Sequence, residues 1–266
     1  MTVMERETQQ RMGRGSQSAF FKALNTGLSI WATAVRLGSG GYVVPLGVRP
    51  AEPLTLYGRE NCPFTRKVRE ALSMLDLDVM VYPCPENGAR YRPDLYAQGG
   101  RTVPFLVDEN TGLSFSGSEA MVAYLFQTYG RGKVPWQLSL GGLTEISSQL
   151  ASYLRLEVGL LARASRAPDR PLELFGYEAS PYCRFVRELF DILEMPCLVR
   201  NLAPGSPRRA AFKRTTGRMQ VPFFVDPNTG VRMWNSRAII RYVNGEYGSP
   251  APRQLPARFE HAKAAA

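Results

Sequence analysis

The 266-residue sequence predicts an α/β protein made of two tandem copies of one domain. Three observations carry that prediction. Sliding the chain against itself by 118 residues sets Pro53-Leu-Thr-Leu-Tyr-Gly-Arg-Glu60 on Pro171-Leu-Glu-Leu-Phe-Gly-Tyr-Glu178, and the match runs without a gap from Pro53 to Gly130. Within each copy, short apolar runs alternate with stretches of helical period, the pattern of a sheet packed against helices. The length also allows two modest domains, each burying a core.

The elements follow in order. Residues 1–15 are polar and mixed in charge, which predicts a disordered leader. Phe20, Phe21, Leu24, Leu28, Trp31 and Val35 recur at steps of three and four, so the segment 16–52 holds an amphipathic helix and a proline-rich linker. Lys22 and Asn25 interrupt its apolar run, so it is neither a signal peptide nor a membrane span. The first domain (53–130) reads as strand Leu54–Tyr57, helix from Pro63 to Leu75, strand Val79–Tyr82 and a helix near Arg90–Gln98. It continues with a strand in Thr102–Asp108, a turn at Asn110-Thr-Gly112, a strand Leu113–Phe115 and a helix Ser118–Tyr129. A linker (131–170) carries a second amphipathic helix on Leu143, Ile146, Leu150, Leu154, Val158 and Leu161. The second domain occupies 171–248, and 249–266 forms a flexible tail.

The net charge of +10 attracts anions, whether small carboxylates, nucleic acid or acidic lipid. The arginines are dispersed, so they read mostly as a solvated surface, and no motif supports specific nucleic-acid binding. The four cysteines (62, 84, 183, 197) form neither a disulfide framework nor a zinc motif, so a reducing, cytoplasmic compartment and no metal are expected. The one histidine, His261, lies in the C-terminal tail, outside both repeats, which sets aside Ser-His-Asp and Cys-His catalysis.

Chemistry concentrates at Cys62-Pro63-Phe64-Thr65 and its echo Ser180-Pro181-Tyr182-Cys183, both on a strand-to-helix turn. A thiol at a helix N-terminus meets unpaired N–H groups and the positive end of the dipole, which favour the thiolate. Cys62 is therefore placed as a nucleophile, and Pro63 suits a first turn that needs no N–H. Cys183 stands one turn deeper, where a thiol resolves a mixed disulfide, but its copy has no leading thiol. Ser180 either donates to a bound thiolate or caps the helix. Cys84 and Cys197 read as core.

The motif Leu-Tyr-Gly-x-x-x-Cys-Pro-Phe-x-Arg-x-Val-Arg, with Val103-Pro104-Phe105 and Ser118 after it, resembles the thioredoxin-like domain of glutaredoxins. It is most similar to the N-terminal domain of cysteine- and serine-type glutathione S-transferases, and the second copy resembles it too. The resemblance implies two thioredoxin-like β-α-β-α-β-β-α domains and a glutathione site in which Pro104 and Pro222 are cis. It further implies that the backbone of Val103 and Val221 pairs with the cysteinyl part of glutathione. Ser118 and Ser236 would receive the γ-glutamyl carboxylate at helix N-termini, Arg101 would meet the glycyl carboxylate, and Phe64 and Tyr182 would flank the ligand. The glutamate that usually precedes the ligand-binding serine is Gly117 in one copy and Asn235 in the other, and no stretch of this sequence is expected to form the helical C-terminal domain of the transferases. The function expected is a glutathione-linked thiol-disulfide oxidoreductase of monothiol glutaredoxin type, with Cys62 as nucleophile and glutathione as cosubstrate. Its partners would be glutathionylated or disulfide substrates. The alternatives are a glutathione transferase and a non-catalytic scaffold binding glutathione or protein. An iron–sulfur carrier is disfavoured because Pro63, rather than glycine, follows the cysteine.

Overall fold

The computed structural model describes residues 40–139 and 161–249. The leader, both amphipathic helices (bar Leu161) and the tail beyond Ser249 lie outside the described residues. The first copy runs β1 (Leu54–Gly58), α1 (Pro63–Met74), β2 (Val79–Pro83), α2 (Arg92–Ala97), β3 (Phe105–Asp108), β4 (Leu113–Ser116) and α3 (Ser118–Tyr129). A single turn, α4 (Trp136–Ser139), follows it. The second copy repeats the order as β5 (Leu172–Gly176), α5 (Pro181–Ile192), β6 (Cys197–Asn201), α6 (Arg209–Thr216), β7 (Phe223–Val225), β8 (Arg232–Trp234) and α7 (Ser236–Tyr247). These are two thioredoxin-like domains in tandem.

The copies share one sheet. Its eight strands run β4-β3-β1-β2-β6-β5-β7-β8, and the two halves meet where β2 pairs antiparallel with β6, Met80 opposite Leu198. Left alone, β2 and β6 would each end a sheet with a row of unpaired N–H and C=O groups; facing each other, they remove that liability. Alternation along the strands then splits the side chains between two faces. Leu54, Leu56, Leu172 and Leu174 point to the face covered by α1, α3, α5 and α7, where one apolar core runs across the junction. Tyr57 and Phe105 point to the other face under α2, and Phe175 and Phe223 do so under α6.

The same staple closes each copy. Asp108, fully buried, accepts from Tyr129 Oη at 2.5 Å and Tyr124 Oη at 2.7 Å, while its Oδ1 holds Asn110 of the β3–β4 turn. Asp226 does the same with Tyr247, Tyr242 and Asn228. Burial would raise the carboxyl of Asp108, but the tyrosine and asparagine donors outweigh it and hold the group below the usual carboxylate range.

The expectation that the arginines form a solvated surface fails at the junction. Arg66, Arg69, Arg184 and Arg187 are all buried, because α1 and α5 turn their arginine faces toward each other instead of toward water. Arg69 Nε donates to Glu178 Oε2 at 3.1 Å, and its counterpart Arg187 donates to Glu60 Oε2 at 3.1 Å. Each arginine also meets the glutamate of its own copy, Arg69 with Glu60 at 3.2 Å and Arg187 with Glu178 at 2.9 Å. A second reciprocal pair lies further out. Arg208 reaches Asp76 at the end of α1, and Arg90 donates to the Leu193 and Glu194 carbonyls at the end of α5, at 3.1 and 2.8 Å. Helix C-termini leave carbonyls unpaired, and here a guanidinium from the opposite copy satisfies them.

Candidate functional site

In the first copy, Cys62 is the N-cap of α1, and its Sγ accepts from Thr65 N at 3.4 Å. The thiol is free, and the residue is 4 % exposed. Phe64 beside it is exposed, whereas Thr65 is tucked under the strand; a Cβ on Gly58 would collide with its methyl. The Val103–Pro104 peptide is cis, and Val103 lies two residues before β3. Ser118 opens α3 and is buried. Gly117, the N-cap before it, has φ 101°, a conformation open to glycine at little cost, and offers no side chain to the helix N-terminus. Arg101, at the rim, is exposed.

The second copy has the same backbone and different chemistry. Val221–Pro222 is cis, and Ser236 opens α7. Ser180 is the N-cap of α5 and accepts from Cys183 N at 3.4 Å, so its hydroxyl oxygen performs the capping role. Cys183 is fully buried against the end of β5, where a Cβ on Gly176 would stand 2.6 Å from its sulfur. Burial pushes its thiol up, away from the thiolate. Tyr182 is exposed like Phe64. The decisive contrast is at α7, where the Asn235 side chain accepts from Arg237 N at 2.9 Å and Ala238 N at 3.4 Å. That helix N-terminus caps itself; the one at α3 has no side-chain cap.

The remaining thiols are core residues. Cys84 and Cys197 are buried, and burial drives the first up to about 12 and the second up as well. Lys67 escaped the sequence reading. It is buried on α1 and forms an ion pair with Glu119 in the first turn of α3, placing an ammonium beside that helix's N-terminus. The repeat held the signal, since the second copy has Phe185 and Arg237 at these positions.

The family described as glutathione S-transferase, N-terminal domain, matches this chain twice, at residues 56–133 and 174–251. The chain belongs to the glutathione S-transferase N-terminal domain family. No curated protein matches it. Among solved structures it is similar to a Leishmania protein, TDR1, titled a unique trimeric glutathione transferase, at 12 % identity and TM-score 0.26. That match covers 79 % of this chain and 71 % of the other. Within the described residues of this transferase-family chain, no helix is long and apolar enough to cross a membrane, and no cluster of His, Cys, Asp or Glu could hold a metal ion.

Proposed function

We propose that the first copy is a glutathione-linked thiol-disulfide oxidoreductase of monothiol type, with Cys62 as its nucleophile and glutathione as cosubstrate. The observation that carries this is the contrast between the two grooves. Only the first joins a free thiol at a helix N-cap to a helix N-terminus that no side chain occupies.

Glutathione would lie along the Val103 backbone, with its γ-glutamyl carboxylate at Ser118 and the first N–H groups of α3, and Lys67 nearby. Arg101 would meet the glycyl carboxylate. The Cys62 thiolate attacks the glutathionyl sulfur of a mixed disulfide; a new S–S bond forms, the old one breaks, and the substrate leaves as a thiolate that takes up a proton. A second glutathione thiolate then attacks the glutathionyl sulfur on Cys62, giving glutathione disulfide and restoring the Cys62 thiolate. One substrate disulfide is thereby reduced at the expense of one added glutathione. The low exposure of Cys62 favours a slender disulfide over a bulky electrophile, so the oxidoreductase is preferred to a transferase. In the second copy, Ser180, Cys183, Val221, Pro222 and Ser236 act as scaffold.

Reduction of a glutathionylated peptide, followed as glutathione disulfide produced, tests this. Cys62→Ser is expected to abolish turnover, and Cys183→Ser to leave it unchanged. Full activity in Cys62→Ser overturns the proposal. Calorimetry with glutathione should give one site per chain, lost in Ser118→Ala combined with Arg101→Ala and kept in Ser236→Ala.

A further inference from the structure

The second copy holds a cavity of about 660 Å³ between α6 and the sheet, on the face away from α5 and α7. That size lies within the range of pockets that enclose small organic ligands, about 300–1,000 Å³. None of Ser180, Cys183, Val221, Pro222 and Ser236 lines it, so it is separate from the groove that corresponds to the thiol site.

Its apolar wall is aromatic. Phe175, Phe212, Phe223 and Trp234 form a chain of rings with successive centroids 5.3, 5.6 and 4.6 Å apart. Its charge is unbalanced. Arg200 is held by Asp78 and Glu173, and Arg208 by Asp76 and Asp78, whereas Arg232, on the edge strand β8, has no ion-pair partner among the described residues. Trp234 Nε1 is buried without a hydrogen-bond partner, a donor left unsatisfied.

The repeat shows how the first copy differs on this face. Where the second copy has Arg200, the first has Tyr82, which stacks on Tyr57 at 5.2 Å and packs tilted against Tyr91 at 5.0 Å. Where the second has Arg232 and Trp234, the first has Ser114 and Ser116. The copy with serine at the leading position is the one that carries a cation and an indole on this face.

We propose that the second copy binds a small aromatic monocarboxylate in this cavity, its ring against the four aromatic side chains and its carboxylate at Arg232. The aromatic wall, its rings tilted and edge-on to one another, selects an aromatic ring. The Arg232 guanidinium, unpaired among the described residues, favours a carboxylate, which it can hold through two hydrogen bonds.

Calorimetry on the full chain with 2-naphthoate and the neutral 2-naphthalenemethanol tests this. The native protein is expected to prefer the acid, and Arg232→Gln to weaken the acid by about tenfold while leaving the alcohol within about twofold. Ala211→Trp, which fills the cavity from α6, is expected to remove binding of both. Equal binding of acid and alcohol by the native protein, or an unchanged affinity in either variant, overturns the proposal. Adding glutathione separates this site from the thiol groove: naphthoate affinity should stay constant in native protein and in Cys62→Ser, and competition by glutathione would overturn the assignment to the second copy.

Discussion

Arg69 of the first copy donates to Glu178 of the second, and the same two positions one repeat later and earlier, Arg187 and Glu60, make the same bond in the opposite direction. The two copies thus hold each other through an exchange of equivalent residues about a pseudo-twofold axis at the β2–β6 junction. Such a pair costs much to bury and more to break, because removing one partner strands the other in a medium that solvates it poorly. Arg69→Met or Glu178→Gln is expected to lower the unfolding free energy by roughly 3–5 kcal/mol in urea. The double variant should lose less than the sum of the two, and strict additivity would show that the residues are not coupled.

Acid should loosen the junction. Burial by itself would raise the carboxyl of Glu178, but Arg187 and Arg69 outweigh it and hold the group at about 2; Glu60 is lowered in the same way. The folded-state value lies below that of the unfolded chain, about 4.3. This stabilisation is therefore complete above the unfolded value and is lost as pH falls through that range toward 2. Stability measured from pH 6 down to 2 should drop in that window, and Glu178→Gln should flatten the drop. A variant with the native acid profile would assign the loss to other groups.

The repeat made most of the fold legible from residues alone. Strand and helix order and the N-cap position of Cys62 follow from patterns within 80 residues of chain, the two cis prolines were implied by the family resemblance, and the structure reproduces all of them. Element ends were less sharp: the helix expected near Arg90–Gln98 spans Arg92–Ala97, because Pro93 fixes its first turn. The junction was hidden for a different reason. An arginine on a helix reads as a solvated group, and nothing local says that a second copy of the same helix will face it. The available signal was that Glu60 and Arg69 both recur in register as Glu178 and Arg187. At the site, Asn235 was visible as a departure from the family pattern, but its capping of α7 depends on a side-chain orientation that sequence does not encode.

Asp191 breaks the symmetry of the junction. Its counterpart Ser73 donates to the Gly40 carbonyl and accepts from Glu178 N, whereas Asp191 is buried with Oδ2 unpartnered. Burial, reinforced by Glu60, pushes its carboxyl well above the ordinary value. A raised folded-state value means the contribution is greatest below the unfolded value, near 3.9, and declines as pH rises through the folded one. Asp191→Asn removes this penalty, so it should stabilise the protein at pH 7 and have little effect at pH 4. Thermal melts at the two values check this, and a variant that is destabilised at both would mean that the charge is compensated.

Gly117 and Asn235 occupy equivalent N-caps with φ 101° and 76°, so the difference between the two grooves rests on one side chain. The Asn235 oxygen takes the N–H groups of Arg237 and Ala238; the equivalent groups of α3 have no side-chain cap. A carboxylate arriving at α3 therefore finds donors and the positive end of a helix dipole. Gly117→Asn should close that end in the manner of Asn235. There is open space for the side chain, since a Cβ at Gly117 meets nothing within 4 Å, and the strain of a side chain at φ 101° is one that Asn235 already bears at φ 76°. The expected result is a loss of about tenfold in glutathione affinity with the fold intact. Asn235→Gly is the reciprocal test: it should cost α7 only a few tenths of a kcal/mol and expose its N–H groups. Because Ser180 still leads the second groove, that variant should gain glutathione binding without gaining disulfide reduction. Unchanged calorimetry in Gly117→Asn would remove the helix end from the binding site.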